Sequence, residues 1–371
     1  MSPYQLSSDR HLSRRHFLKA GAAAASGLAL SGCGWTLANV RTTIDTPSDV
    51  LYLYTWAGYT DDELIKEFYD ETGIRVIADV FSSNEEMLAK LQAGAGGAYS
   101  IIYPSDYMVR KMVSLDWLVD LDRDRLLGLD ELFPRFQNPG YDTQNRHSIP
   151  MSWGTTGLIY NSRKLQPNPT DWDYLWDNRQ QLSKRISLLN DGREVIGAAL
   201  RSLGYSYNTT NIDAIRQAYQ KLTELKSAIA TFTSDAWTSQ IITGDLTIAM
   251  CYSADAVQVI EESPGTAYLL PDSGSSVWTD TMAIPRTAPN IEGAYAWLNF
   301  MLRPDVSARV CERLSFATPN QVAFGLLPEE VQNNDSLFPP ESALEKSEEL
   351  KPLPTEVGEA FDLYWTRLTS G

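Results

Sequence analysis

The sequence predicts an α/β protein of two domains. Three observations predict it. The chain has 371 residues, enough to bury two cores. Strand and helix signals alternate from residue 50 onward, the pattern of a parallel sheet with crossover helices. Two further strand-like segments, one near residue 150 and one near residue 280, read as passages from one domain to the other and back. At 43% hydrophobic and 21% charged, the composition is that of an ordinary globular protein.

Residues 1–32 read as an export signal outside the fold. Ser13-Arg14-Arg15-His16-Phe17-Leu18-Lys19 is a twin-arginine pattern, and Ala20 to Leu30 is a weakly apolar run too short to span a bilayer. Leu30-Ser31-Gly32-Cys33 resembles a bacterial lipobox, which would make Cys33 the lipidated first residue of the mature protein. The alternative is that Cys33 lies in a cleaved peptide. Residues 33–49 are polar, lack periodicity and read as a tether. The formal charge of −16 becomes −19 once Arg10, Arg14, Arg15, Lys19 and Asp9 leave with the signal. That balance argues against nucleic acid and anionic lipid as partners and leaves cations open.

In the first domain, Val50 to Thr55 is a strand and Trp56-Ala57-Gly58-Tyr59 a turn. Thr60 is placed to cap a helix with Asp61, Asp62 and Glu63 in its first turn, which Gly73 ends. Ile74 to Val80 is the second strand. Ser83 and Glu86 form a capping box for a helix through Leu91. Tyr99 to Tyr103 is a third strand, stopped by Pro104. Ligands of open α/β sheets bind at the carboxyl ends of strands. Two such ends carry aromatics here, Trp56 with Tyr59 and Pro104-Ser105-Asp106-Tyr107. The bland reading is loop packing and a helix cap.

Ser148 to Tyr160, interrupted by Gly154 and Gly157, reads as the first crossing. Asp171 to Trp176 is a short helix packed by its tryptophans. Ile186 to Leu189 is a strand leading into Asn190-Asp191-Gly192-Arg193-Glu194 and a helix to Leu203. Asp213 to Lys226 is an amphipathic helix, and Leu246 to Tyr252 an apolar strand ending in Tyr252-Ser253-Ala254-Asp255. Ser276 to Pro285 is the returning strand. Ile291–Leu302 and Val306–Leu314 are helices, Ala317 to Asn320 is a candidate third crossing, and Glu356 to Leu368 is a final amphipathic helix.

The strand Ser276 to Pro285 carries the sharpest chemistry. Side chains two apart on a strand share a face, so Trp278 and Asp280 look the same way. An aromatic plate beside a carboxylate suits an organic ammonium ion. A core Trp with an edge Asp is the structural alternative. Asp191 and Glu194 bear the same ambiguity, because Asp-x-x-Glu before a helix is also a capping arrangement. Asp106 and Asp255 are further candidates, or solvated acids at element ends.

Other chemistry is thinly represented. His147 is the one histidine after the signal, which removes most zinc sites and most His-dependent nucleophiles. There is no G-x-S-x-G, Walker A or G-x-G-x-x-G motif, and Gly94-Ala95-Gly96-Gly97 is a loop. No cofactor or metal is expected. Cys251 and Cys311 are either a disulfide or two buried thiols.

The motif series is similar to that of polyamine-binding proteins, the spermidine/putrescine-binding components of bacterial ABC transporters. Tyr54-Thr55-Trp56-Ala57-Gly58-Tyr59, Pro104-Ser105-Asp106-Tyr107, Asp191-Gly192-Arg193-Glu194-Val195, Trp278-Thr279-Asp280 and Thr318-Pro319-Asn320 occur in the family's order across residues 50–371. The resemblance implies a periplasmic-binding-protein fold. Two lobes, each a mainly parallel sheet flanked by helices, are joined by two or three crossing segments and close on the ligand. Residues 50–150 with 279–320 would form the first lobe, and 151–278 with 321–371 the second.

It also implies roles. Residues matching Trp56, Tyr59, Tyr107 and Trp278 box a methylene chain. Those matching Asp191, Glu194 and Asp280 meet ammonium groups, and Ser105 adds a hydrogen bond. Tyr252 stands where the family usually has Trp, and Phe316 where Tyr is common. Gly58 replaces a frequent acid, a contact for which Asp106 or Asp255 could substitute. The implied protein is a monomeric, non-enzymatic receptor at the periplasmic or extracytoplasmic membrane face. It hands a polyamine to an ABC permease backed by an ATPase, and meets the membrane only through a lipid on Cys33. The rival readings are a receptor for another organic cation, a polyamine sensor, and a hydrolase using paired carboxylates.

Overall fold

A computed structural model describes residues 49–94 and 97–370. The signal, Cys33 and the tether up to residue 48 lie outside the described residues. The chain forms two α/β lobes around two main hydrophobic cores. In the first, β1 (Val50–Trp56) pairs in parallel with β2 (Arg75–Phe81) and with the two-residue β3 (Ile101–Ile102). In the second, β5 (Ile186–Leu188) pairs in parallel with β6 (Ile229–Phe232) and β7 (Ile248–Tyr252). β1, β3, β5 and β7 are rich in Val, Ile, Leu and Tyr, as strands buried on both faces require, whereas the edge strands β2 and β6 are partly exposed.

Two long strands join the halves. β4 (Ser148–Asn161) runs antiparallel to β9 (Ser276–Ala283) over Ser148–Thr155. Its second part, from Thr156, pairs antiparallel with β7, and Leu158–Asn161 pairs with β8 (Thr266–Leu269). β9 closes the first sheet through an antiparallel pair with β3, Ile102 opposite Ala283. β4 is therefore a rod shared by both sheets, as its reading as a crossing anticipates.

Helices cover the sheets where the periodicity places them. α1 (Asp62–Thr72) buries Leu64 and Phe68, and Gly73 ends it with φ 71°, the left-handed conformation that favours glycine. Its cap is Asp61, whose Oδ1 accepts from Leu64 N at 2.7 Å, and not Thr60. The two sites differ by one residue, and Asp caps more strongly than Thr. α2 (Asn84–Gln92) is capped by Ser83, whose Oγ accepts from Glu86 N at 3.1 Å. The reciprocal bond slips by one: Glu86 takes Ser82 N and Oγ instead of Ser83 N. α3 (Asp106–Ser114) follows β3.

α4 (Gly192–Ser202), α5 (Ile212–Leu225), α6 (Trp237–Thr243) and α7 (Ser253–Glu262) belong to the second lobe. α8 (Ile291–Leu302) and α9 (Pro304–Leu314) return to the first. There Phe68 meets Trp297 edge-on at 4.9 Å, both fully buried. Phe68→Ala at that joint costs about 3–5 kcal/mol.

The end of the chain is divided between the two cores. Ala317 bridges Trp153 and Asn320 bridges Leu132, so Ala317–Asn320 stays with the first core. α10 (Gln321–Leu326) packs Ala323 against Ala308 and Cys311, and Phe338 and Leu344 lie on the first core. The passage to the second lobe comes later, through β10 (Glu348–Glu349), which pairs with β9. α11 (Thr355–Thr369) then seats Val357, Phe361 and Leu368 in the second core. Cys251 and Cys311 are buried free thiols. Among the described residues, no helix is long and apolar enough to cross a membrane.

Candidate functional site

The carboxyl ends of β1, β2, β7 and the loops after β3 and β5 converge on one cavity of about 290 Å³. All twelve structured residues singled out from sequence line it: Trp56, Tyr59, Ser105, Asp106, Tyr107, Asp191, Glu194, Tyr252, Asp255, Trp278, Asp280 and Phe316.

The turn after β1 sets the first of these. Gly58 has φ +80°, which a side chain rarely tolerates, so glycine suits the turn. The chain folds back so that Tyr59 OH lies 3.1 Å from Ser152 Oγ and donates to Asp280 Oδ2. Burial, then the charge of Asp280, pushes the Tyr59 phenol well up, so it remains a donor. Ser105 Oγ donates to the other oxygen of Asp280 at 2.6 Å and itself accepts from Asn84 Nδ2 at 3.0 Å. Asp280 is 9% exposed and its carboxyl is raised by burial, against which the Ser105 and Tyr59 bonds work.

Of the pair whose spacing left capping open, Asp191 takes the cap. Asp191 Oδ1 caps α4, accepting from Arg193 N at 2.8 Å and Glu194 N at 3.1 Å. Glu194 makes no capping-box bond. Ser276 Oγ lies 2.9 and 2.7 Å from its two oxygens. It is 3% exposed, and burial, followed by the charge of Asp191, pushes its carboxyl from 4.5 up to about 8. Burial and Asp235 raise the Asp255 carboxyl to about 6.

β9 orders these groups. Ser276, Trp278 and Asp280 share a face, and at ~3.3 Å per residue Ser276 and Asp280 stand about 13 Å apart. Glu194, held by Ser276, and Asp280 thus flank Trp278. Trp278 meets Tyr252 at 5.9 Å and 82° and Phe316 at 6.4 Å and 88°, and Phe316 lies 5.0 Å from Tyr59. Edge-on contacts make walls of these rings and leave faces that stacking would cover. Trp278 lies across Gly154 of β4, where a Cβ would stand 2.4 Å from the indole. The glycine read as a strand interruption is the seat of the ring.

Sequence reading missed Asn84, Glu85, Asn190, Ser234 and Leu350, which also line the cavity. Asn84 fixes Ser105 from both sides, its Oδ1 accepting from Ser105 N at 3.1 Å. Glu85 accepts from Tyr107 OH at 3.1 Å. Both follow the carboxyl end of β2, the position that the strand-end rule marks. Among the described residues that line the cavity, six are carboxylates (Glu85, Asp106, Asp191, Glu194, Asp255, Asp280) and none is Lys, Arg or His. Among the described residues, no group of His, Cys, Asp and Glu is clustered to hold a metal ion.

Known proteins agree with this architecture. Residues 63–339 match the family of bacterial extracellular solute-binding proteins, and residues 11–31 match the twin-arginine translocation pathway signal sequence, so the chain carries an export signal. The spermidine/putrescine-binding periplasmic protein of Salmonella typhimurium is 36% identical over 361 residues, 96% of this chain and 98% of that protein. The spermidine/putrescine ABC transporter substrate-binding protein of Streptococcus pneumoniae has a TM-score of 0.78 and 33% identity, covering 87% of this chain and 99% of that one. The Tp0655 lipoprotein of Treponema pallidum superposes with a TM-score of 0.77 at 28% identity, over 87% of this chain and 100% of that one. A match over three-quarters of the length and a relative spanning nearly all of it leave one assignment: this chain belongs to the bacterial extracellular solute-binding proteins.

Proposed function

We propose that the protein is an exported receptor that captures a polyamine, spermidine or putrescine, and delivers it to the permease of an ABC transporter. The observation that carries this reading is the cavity wall, whose described residues include six carboxylates, six aromatic rings and no basic side chain. A polyamine is an apolar chain bearing fixed positive charges. Its methylenes suit flat rings, each cation–π contact being worth roughly 0.5–2 kcal/mol. Its ammonium groups suit the carboxylates, and an unpaired partner of such a buried pair costs about 2–5 kcal/mol. Anions have no countercharge here. The names of the relatives support the same ligand class and the same transport role.

In this reading, Trp56, Tyr59, Tyr107, Tyr252, Trp278 and Phe316 wall the chain, Asp191, Glu194 and Asp280 take ammonium groups, and Ser105 supplies a hydrogen bond. The protein binds without turnover and acts as a monomer in the periplasm. Cys33 carries a lipid anchor, a reading supported by the lipobox pattern and by the lipoprotein among the structural relatives. Residues 321–344 go with the first lobe, because Ala323, Phe338 and Leu344 pack there.

Calorimetric titration with putrescine, spermidine, spermine and agmatine tests the reading. Near-stoichiometric binding of at least one polyamine at moderate salt is expected. Heat with sugars or anions and none with any polyamine would end it.

A further inference from the structure

We propose that Asp106 is a further amine anchor, which with Asp280 accepts one primary ammonium group of the bound polyamine. This rests on the polyamine reading of the cavity. Asp106 lines the cavity yet is only 1% exposed. Its Oδ1 accepts from the backbone N–H of Tyr107 at 2.6 Å, while its Oδ2 is buried with no hydrogen-bond partner among the described residues. A buried carboxyl oxygen left unpaired costs free energy, so it calls for a partner that arrives later.

The neighbours say what that partner is. Asp106 adjoins Ser105, which bridges Asp280 in the backbone and donates to its carboxylate. Asp280 already accepts from Ser105 and Tyr59, so half of its acceptor positions are filled. A primary ammonium brings three N–H donors, more than the remainder of Asp280 can satisfy alone. Asp106, on the next residue along from the bridge and on the same cavity wall, offers the further acceptor. Asp280 on β9 and Glu349 on β10 add negative charge around Asp106, and Arg110, one turn along α3, opposes them. Arg110 is itself directed to Glu349, 3.4 Å away. Burial foremost, then Glu349, holds the Asp106 carboxyl well above the usual range, so it keeps its proton until a cation displaces it.

A structural residue and an anchor behave differently when the charge is removed. In Asp106→Asn the repelled, desolvated carboxyl is gone, so the ligand-free protein should melt at a higher Tm at pH 8. Its affinity for putrescine and spermidine should fall about tenfold or more by calorimetry. Unchanged affinity in Asp106→Asn, with the wild type binding normally, overturns the proposal alone. So does a parallel fall of Tm and affinity, the mark of a merely structural carboxyl. A wild type that binds no polyamine defeats the functional reading, and this inference with it.

Discussion

Glu194→Gln separates what the cavity costs from what it binds. Glu194 is 3% exposed, with its carboxyl pushed from 4.5 to about 8 by burial and then by Asp191. The folded value thus lies above the unfolded one. Below pH 4.5 both states hold the proton and the group contributes nothing. From 4.5 to about 8 the unfolded chain ionises while the fold keeps its proton, so stability falls as pH rises; above that window the loss is complete. At ~1.4 kcal/mol per pH unit the deficit is about 3 kcal/mol at pH 7 and about 5 kcal/mol above pH 9. Gln cannot ionise and keeps an oxygen to accept from Ser276. Ligand-free Glu194→Gln should therefore be the more stable protein by about 3 kcal/mol at pH 7, with the gap closing near pH 4.5. An ammonium beside Glu194 reverses its preference and expels the proton. Calorimetry with spermidine in two buffers of different ionisation enthalpy counts that proton, and urea melts from pH 5 to 9 measure the stability. The wild type should release about one proton more per ligand at pH 7 than Glu194→Gln, and the variant should bind about 2–5 kcal/mol more weakly. Equal proton counts, with urea midpoints that track each other across pH, would refute the reasoning.

Gly154→Ala puts a Cβ 2.4 Å from the Trp278 indole and 2.7 Å from Ser253 Oγ. It should cost about 1–3 kcal/mol in a urea melt and shrink the polyamine-induced change in tryptophan fluorescence. Asp280→Asn leaves the Ser105 and Tyr59 hydroxyls with an amide and the ligand without a countercharge, so affinity should drop by about 2–5 kcal/mol. Calorimetry that finds the Asp280→Asn affinity unchanged removes Asp280 from the ligand's contacts. Trp278→Leu should weaken binding by about 1–2 kcal/mol and remove most of the fluorescence response; normal affinity in that variant contradicts the ring walls.

The parts of the site that were legible in the sequence follow from local rules. The period of two on β9 places Trp278 and Asp280 on one face, and strand carboxyl ends mark Trp56, Tyr107 and Tyr252. What was not legible depends on partners distant in the chain. Asp191 and Glu194 cannot be told apart by spacing, because Ser276, which claims Glu194, lies 82 residues away. Asn84 and Glu85 read as the first turn of a capped helix, which they are, and only the fold shows that this turn faces the cavity. Gly154 reads as a weak point in a strand until Trp278 is found lying on it. Leu350 reaches the cavity because β10 docks on β9, and a two-residue strand leaves no periodic signal.

The acids also explain how this fold comes to suit a cation. Four helices begin at the cavity, and each carries an acid at or near its start: Glu85 on α2, Asp106 on α3, Asp191 capping α4, and Asp255 on α7. A helix N-terminus carries about half a positive charge and free N–H groups, which suits anions. Left bare, the same four ends would make the cavity an anion site. Here Asp191 and Asp106 turn one oxygen onto backbone N–H groups and keep the other. The helix ends steady these carboxyl groups, so oxygens line the cavity where bare N–H groups would otherwise stand. Asp280 and Glu194, on no helix end of their own, rely on hydroxyls from Ser105, Tyr59 and Ser276 instead. That division separates carboxyls steadied by the backbone from carboxyls steadied by side chains, and the second kind are the ones single substitutions of Ser105, Tyr59 or Ser276 can loosen.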